Sequence, residues 1–291
     1  MILIPNCEIL ITFTPEHNYT QNLSGHLFEC FDYYFHIRKF RKCKILIQED
    51  TTHEKLQYIV NRHYIESIPS EDIIIQEHVD LVKVPVVLNV DDCHYLLNRD
   101  RYKFACDKFY SFACGDTKLN YSLDCDIIQL VDTKIYDANS LKCKHIDYVK
   151  KIYPKLNHSK PQNKPFAHIT KNCKSLSSEM LGALLLEYPN IIIYSDYLNS
   201  VDNPMGLNSI YEEATITNVP ILDFNFSKYI YTPVSRHFDC SPRLIVECQL
   251  LGIEIVLWNI NYFDPGLERR LNNYEDFILK DNDPILRILQ N

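Results

Sequence analysis

Residues 231–257 read YTPVSRHFDCSPRLIVECQLLGIEIVL. An apolar run closes at Tyr231, a polar loop leads to Ser241, and a helical pattern starts at Pro242 and stops at Gly252. A second apolar run then follows over 253–257. Ser241 is a residue type that caps helices through its hydroxyl, and Pro242 stands at the first helical position, where its missing N–H costs nothing. Gly252 stands where a left-handed residue ends a helix. Strand, loop, helix, stop and strand together make a βα unit, and such units build parallel sheets.

The same alternation of short apolar runs with segments of helical period extends over the whole chain. In the first half it predicts strands over 9–13, 45–47, 73–75, 84–88, 109–112 and 127–130, and helices over 25–40 and 53–62, the first with Ser24 as N-cap. In the second half it predicts strands over 166–169, 191–194, 219–222, 229–231 and 253–257. Helices are expected there over 176–187, 206–214, 242–251 and 282–290, the last with Pro284 in its first turn. Residues 153–165 are polar and carry Pro154, Pro161 and Pro165, which reads as a linker. The expected architecture is α/β, with two Rossmann-like α/β/α domains facing an interdomain cleft. An N-terminal domain is expected over 1–155 and a C-terminal one over 165–275, with a terminal helix in 276–291 packing back on the first.

Composition narrows the chemistry. The chain has only six glycines, and the closest two lie fourteen positions apart. A G-x-G dinucleotide fingerprint and a P-loop are therefore both absent. A net charge of −8 argues against general polyanion binding. Two basic stretches run against that total: Arg38, Lys39, Arg41, Lys42 and Lys44, and a lysine-rich segment over 142–164 whose one acid is Asp147. Each reads either as a solvated helix end or linker or as an anion-facing patch. The eleven cysteines are odd in number, contain no C-x-x-C and lie mostly in apolar runs, which fits free thiols in a reducing cytoplasm. No Cys/His cluster has zinc-ligand spacing, so no metal is expected. No apolar run reaches the length of a membrane span, and the first residues lack the pattern of a signal peptide.

Within 231–257, the free amides of the helix start at Ser241 and Pro242 can face an anion, and Arg243 adds a charge in the same turn. Glu247 lies four residues beyond Arg243; taken alone, such a pair is a helix-surface ion pair worth a few tenths of a kcal/mol, ~0.3. Asp239 precedes the helix, eight positions before Glu247. In this combination the segment resembles the signature region of two-Rossmann-domain (GT-B) nucleotide-sugar glycosyltransferases, particularly retaining ones. Their pattern of strand, Pro-Ser, a loop acid, seven residues, Glu, apolar helix, Gly and strand is matched by Pro233, Ser235, Asp239, Glu247 and Gly252. The resemblance is specific over 166–257 and architectural over the first half.

By that resemblance Glu247 binds the ribose hydroxyls of the donor nucleotide, Asp239 faces the transferred sugar, and Ser241, Pro242 and Arg243 hold the diphosphate. Lys171 and Lys174 occupy the region where such enzymes place cations on the leaving diphosphate; otherwise they are solvated helix-start lysines. Residues 203–206 stand where the nucleobase rim is expected. The family more often has Glu-Gly where this chain has Asp239 and Cys240, which leaves the sugar open.

In the first half, Gly25 and His26 open a helix after a strand, where backbone can approach a ligand and the imidazole can meet acceptor or phosphate. Asp91 and Asp92 follow the strand expected at 84–88, at the carboxyl end where open α/β sheets hold ligands, as candidates to orient an acceptor hydroxyl or act as base. The expected protein is an enzyme that transfers a sugar from a UDP-sugar, with no tightly bound cofactor. Its acceptor hydroxyl belongs to a hydroxymethylated base (hydroxymethylcytosine) in double-stranded phage DNA or, alternatively, to a glycan. A chain rich in Asn, Tyr, Lys and Ile suits the AT-rich genome of a phage acting in the host cytoplasm. The competing class is a nucleotide- or sugar-binding module without catalysis.

Overall fold

The computed structural model describes residues 2–13, 25–47, 51–75, 82–90, 104–113, 126–130, 145–148, 155–158, 160–169, 176–194, 214–217, 224–232, 243–258, 272–278, 280 and 283–290. They form two compact units. Unit 1 is Met1–Lys155 with Asp276–Asn291, and unit 2 is Leu156–Glu275.

Unit 1 runs β1 (Ile2–Leu3), β2 (Ile9–Phe13), α1 (Gly25–Ile37), β3 (Cys43–Ile47), α2 (His53–His63), β4 (Ile73–Ile75), β5 (Val82–Lys83), β6 (Val86–Asn89), β7 (Phe104–Ala105), β8 (Lys108–Ala113), β9 (Asp126–Leu130) and β10 (His145–Tyr148). The main sheet has the order β10-β9-β8-β6-β2-β3-β4 and every pair in it is parallel. Counted from its first strand, β2, the order is 3-2-1-4-5-6-7, the winding of a Rossmann-like sheet. A smaller parallel sheet, β1-β5-β7, repeats the order β2-β6-β8 one element earlier, so it prolongs those three strands at their amino ends. The interruptions are local: Asn6 takes a left-handed φ of 55° between β1 and β2, and Pro85 separates β5 from β6. The strand expected from residue 84 therefore begins at Val86, because the Pro85 carbonyl instead accepts Asp107 N and Lys108 N.

Burial follows the pattern of parallel sheets, whose strands are covered on both faces. Ile9, Leu10, Ile11, Ile45, Leu46 and Ile47 expose nothing. Helix α1 is buried along its length from Leu27 to Ile37, Glu29, Asp32 and His36 included. Fully buried Leu27, Phe31, Phe35 and Ile37 each contribute about 1.5–3 kcal/mol, which outweighs the desolvation of Asp32 once a partner is supplied. That partner is Tyr64, whose hydroxyl donates to Asp32 Oδ1 at 2.6 Å. The helix ends at Ile37, three residues before its apolar pattern does. There Lys39 N bonds His36 O and Phe40 N bonds Ile37 O, tightening the last turn.

Helix α2 starts at the expected place. Thr52 Oγ1 accepts from Lys55 N at 3.2 Å, and Leu56, Ile59, Val60 and His63 form its buried stripe. In the same unit lies α5 (Pro284–Gln290), with Leu286 and Leu289 buried. Arg41 Nη1 donates to the carbonyls of Leu289 and Gln290 at 3.2 and 3.3 Å, giving partners to a helix end that has none of its own.

Unit 2 runs β11 (Pro165–His168), α3 (Ser178–Glu187), β12 (Ile192–Tyr194), β13 (Thr215–Thr217), β14 (Lys228–Tyr231), α4 (Arg243–Leu250) and β15 (Glu254–Leu257). Its five strands, all parallel, lie in the order β13-β12-β11-β14-β15, again 3-2-1-4-5 counted from the first. Ala167, Ile169, Leu184, Leu185, Ile193 and Ile230 form the buried cluster between sheet and α3. Gly252 ends α4 with φ 68°, and Gly252 N and Ile253 N bond back to Gln249 O and Cys248 O. Of the helix expected over 206–214, the structure describes only Ala214, which is not helical and leads into β13; the strand expected over 219–222 lies outside the described residues. Described residues of the polar stretch from Leu156 on belong to unit 2 and bond within it. Leu156 is buried, the His158 ring meets Phe224 O at 3.0 Å, and Ser227 N donates to Lys164 O at 2.9 Å. The chain is thus mixed α/β with parallel sheets in both units.

Burial also governs the thiols. Desolvation pushes the Cys7 thiol up to about 12 and raises those of Cys43 and Cys248 as well. Half-buried Cys106 is pushed to about 11. In the unfolded chain a thiol ionises near 9.0, so these groups favour folding fully below pH 9 and lose that contribution as pH rises towards 12. Urea unfolding between pH 8 and 11 is expected to show stability falling above pH 9. At pH 8 a thiol-specific reagent is expected to modify Cys7, Cys43 and Cys248 only at the rate of global unfolding; rapid labelling of all three in the folded chain contradicts this account.

Candidate functional site

In an open parallel sheet, ligands bind outside the carboxyl ends of the strands where the order reverses, because the flanking loops diverge there and leave a crevice. In unit 2 the order reverses between β11 and β14. The chain leaves β11 into 170–175, which carries Lys171 and Lys174, and leaves β14 into 233–242, which carries Asp239, Ser241 and Pro242. These five lie outside the described residues. In unit 1 the reversal lies between β2 and β6. The chain returns after β2 at Gly25 and His26, the first residues of α1, and leaves β6 through Val90 into Asp91 and Asp92. Both aspartates and the His26 side chain also lie outside the described residues. These segments join the four strands that flank the two reversals, whereas residues 203–206, expected at the nucleobase rim, fall between β12 and β13 in the chain and lie outside the described residues.

The pair that the structure brings together is Arg243 and Glu247. They occupy the first and fifth positions of α4, and Arg243 Nε donates to Glu247 Oε1. The expected surface ion pair is instead buried, with side-chain exposures of 8% for Arg243 and 5% for Glu247. Its neighbours on the helix, Ile245, Val246 and Cys248, are buried too, so α4 has no solvated face at this point. The charge of Glu247 adds to burial in holding the Cys248 thiol protonated. A cation at a helix amino end opposes the macrodipole, by about 0.3–1 kcal/mol, unless an anion lies beside it. Glu247 is that anion, and carboxylate and guanidinium together can accept from hydroxyls and donate to phosphoryl oxygens.

Further polar side chains at the reversals carry no motif. Thr12 and Asn89 are register partners on β2 and β6, and neither exposes any surface. Thr12 Oγ1 has no hydrogen-bond partner. In unit 2, Thr232 follows β14, is 3% exposed, and its Oγ1 also lacks a partner. The signal available in the sequence was a polar residue at or near the end of an apolar run: Thr12 between Ile11 and Phe13, Asn89 after 86–88 and Thr232 after 229–231. Beside β15, α3 and the strand form a groove of about 550 Å³ lined by Glu179, Glu187, Val256, Leu257 and Trp258, with Trp258 Nε1 donating to Glu187 Oε2 at 2.7 Å.

The first basic stretch is engaged within unit 1. Arg38 bonds the Glu66 carboxylate and Ser67 O and lies over the rings of Tyr34 and Phe35, while Lys44 Nζ donates to Glu71 O at 2.8 Å. With Arg41 on α5, three of the five residues read as a solvated helix end or anion patch hold neighbouring segments together, while Lys39 and Lys42 are exposed. Lys155, from the second stretch, pairs with Glu66 at 2.7 Å. Among the described residues no three His, Cys, Asp or Glu side chains are grouped to hold a metal, and no helix is long and apolar enough to cross a membrane.

Removing one partner of a buried ion pair leaves the other charge without compensation. Glu247→Ala is expected to cost about 3–5 kcal/mol in urea unfolding, and Glu247→Gln, which keeps an acceptor oxygen beside Arg243, clearly less. An alanine variant as stable as the parent would mean that the pair is solvated. Comparison with protein-family models, with curated proteins and with solved structures gives no match.

Proposed function

We propose that the protein is a glycosyltransferase that moves a sugar from a nucleoside diphosphate donor to an acceptor hydroxyl, with retention of configuration. One observation carries this reading: the segment with the acid-x7-Glu spacing leaves the strand at the reversal of unit 2, and its Glu247 is buried against a guanidinium. A carboxylate in that setting suits the ribose hydroxyls of a nucleotide, which donate to it. In this proposal the two units are the two Rossmann-like domains of a GT-B-type enzyme, the donor belongs to unit 2, and UDP is the favoured nucleotide.

The reaction breaks the bond between the anomeric carbon and the diphosphate oxygen and forms one to the acceptor oxygen on the same face. Negative charge builds on the leaving diphosphate, and Lys171, Lys174 and the start of α4 are assigned to stabilise it. Asp239 is assigned to the transferred sugar. Gly25, His26, Asp91 and Asp92 are assigned to the acceptor side, where an aspartate or the departing phosphate takes the acceptor's proton. Positioning and leaving-group stabilisation supply most of the rate in such a reaction.

For the acceptor, a hydroxymethylated base in duplex DNA has to be exposed or reached in the major groove. The lysine-rich segment over 142–164 is assigned to the DNA backbone, apart from Lys155, which pairs with Glu66. The test is incubation with a panel of UDP- and GDP-sugars and three acceptors: plain DNA, hydroxymethylcytosine DNA and glycan oligomers. Nucleotide release and product mass are the readouts. Release coupled to a sugar-mass increase on one acceptor is expected; nucleotide binding without turnover marks a binding module, and no nucleotide binding at all overturns the proposal.

A further inference from the structure

A buried hydroxyl without a partner disfavours the folded state, since it gives up water and gains nothing in exchange. Native chains satisfy nearly all such groups, so each exception calls for an account. Thr232 is one: it is 3% exposed and its Oγ1 bonds nothing.

Its place in the fold supplies the account. Thr232 continues β14 at the carboxyl edge of the sheet, beside the reversal with β11. Ile230, two residues earlier, belongs to the cluster formed with Leu181, Leu184 and Leu185 of α3, so strand alternation puts Thr232 on the side of the sheet that α3 covers. Helix α3 leads from β11 to its parallel neighbour β12, so its amino end stands at the same carboxyl edge. Ser177 caps that end, its Oγ accepting from Met180 N at 3.2 Å, and the other amides of the first turn have no partners within the helix. Glu179, the acid of that turn, lines the groove towards β15, which leaves the Thr232 side for an anion. Unit 1 repeats the arrangement: Thr12, fully buried and without a partner, lies on β2 at its own reversal.

We propose that Thr232 is a ligand-binding residue whose hydroxyl donates to a diphosphate oxygen of a nucleoside diphosphate lying across the reversal of unit 2, on the same side as the first turn of α3. The proposal rests on the nucleotide-sugar reading and adds to it a contact that no motif marks. Bound ligand supplies the partner that the folded chain lacks, so the same hydroxyl weakens the free protein and strengthens the complex.

Two variants of the intact chain test it, Thr232→Val, which keeps the shape and removes the hydroxyl, and Thr232→Ser, which keeps the hydroxyl. Calorimetric titration of the parent with UDP, GDP and ADP identifies the tightest, which is then used with both variants, and thermal unfolding is followed without nucleotide. Thr232→Val is expected to bind about tenfold or more weaker, yet to melt at or above the parent temperature. Thr232→Ser is expected to bind within about threefold of the parent. Equal binding by parent and Thr232→Val overturns the role of Thr232 and leaves the nucleotide reading standing. No binding of any of the three by the parent overturns both. A Thr232→Val variant that melts clearly below the parent means that the hydroxyl has a partner inside the fold, and overturns the proposal as well.

Discussion

In both units the first strand of the main sheet is packed on its two faces and has a parallel neighbour on each side. Ile9, Leu10 and Ile11 of β2 expose nothing, and Ala167 of β11 with the adjoining Ile169 likewise. A parallel neighbour cannot be reached by a hairpin, so the chain must leave each strand at the carboxyl edge and return at the amino edge. That requirement collects the segments between strand and helix on one edge. Because the order reverses at β2 and at β11, it also fixes where along that edge two such segments diverge. In unit 1 the amino ends of β2, β6 and β8 are prolonged by the small sheet β1-β5-β7.

The polar groups at the carboxyl edges follow from the same constraint. A polar residue near the carboxyl end of an apolar strand is still within the packed layer, so Thr12 in β2, Asn89 at the end of β6 and Thr232 just after β14 are buried. Arg243 and Glu247 are buried for a related reason: α4 is eight residues long and its middle is covered, so a pair separated by one turn has no solvated position to occupy. Coulomb attraction between them is much stronger there than at a surface, and so is the cost of dehydrating each charge. The pair is therefore weak support for stability and a strong constraint on geometry, since neither group can be left alone.

The strands rich in β-branched and aromatic residues were legible in the sequence: 9–13, 45–47, 73–75 and 229–231 all lie within strands, and the helices at 53–62, 176–187 and 242–251 lie within a residue or two of their observed bounds. The two-residue strands β1, β5 and β7 were not, because a pattern of period two needs more than one repeat to register, and β10, His145–Tyr148, mixes charge with apolar residues. The strand order was out of reach for a different reason, as parallel partners are distant in sequence and share no local signal. At the site, the spacing of Arg243 and Glu247 was visible, and the setting of Glu247 between two apolar strands pointed to its burial; that of the Arg243 side chain was not legible, because an i, i+4 pair reads the same whether its helix face meets water or a sheet. In the basic cluster at 38–44 the exposure of Lys39 and Lys42 was legible, but the engagement of Arg38, Arg41 and Lys44 was not, since their partners Glu66, Glu71 and the carbonyls of α5 come from far along the chain.

Glycine scarcity ties these points together. With six glycines in the chain, backbone cannot be brought against phosphate by a glycine loop, and Gly252, left-handed at φ 68°, serves only to stop α4. A ligand oxygen at the reversal of unit 2 must then be met by groups that tolerate a Cβ: helix amides at the start of a capped helix, and side-chain hydroxyls short enough to sit at a strand end. Ser177, which caps α3, and Thr232, unpartnered on the same side of the sheet, are residues of that kind. A glycine loop gains closeness through backbone freedom that folding must then remove. A β-branched threonine at a buried strand end has little freedom to lose. What it costs instead is an unsatisfied hydroxyl, so in the proposed site a fold short of glycine trades backbone entropy for a polar group that the proposed nucleotide completes.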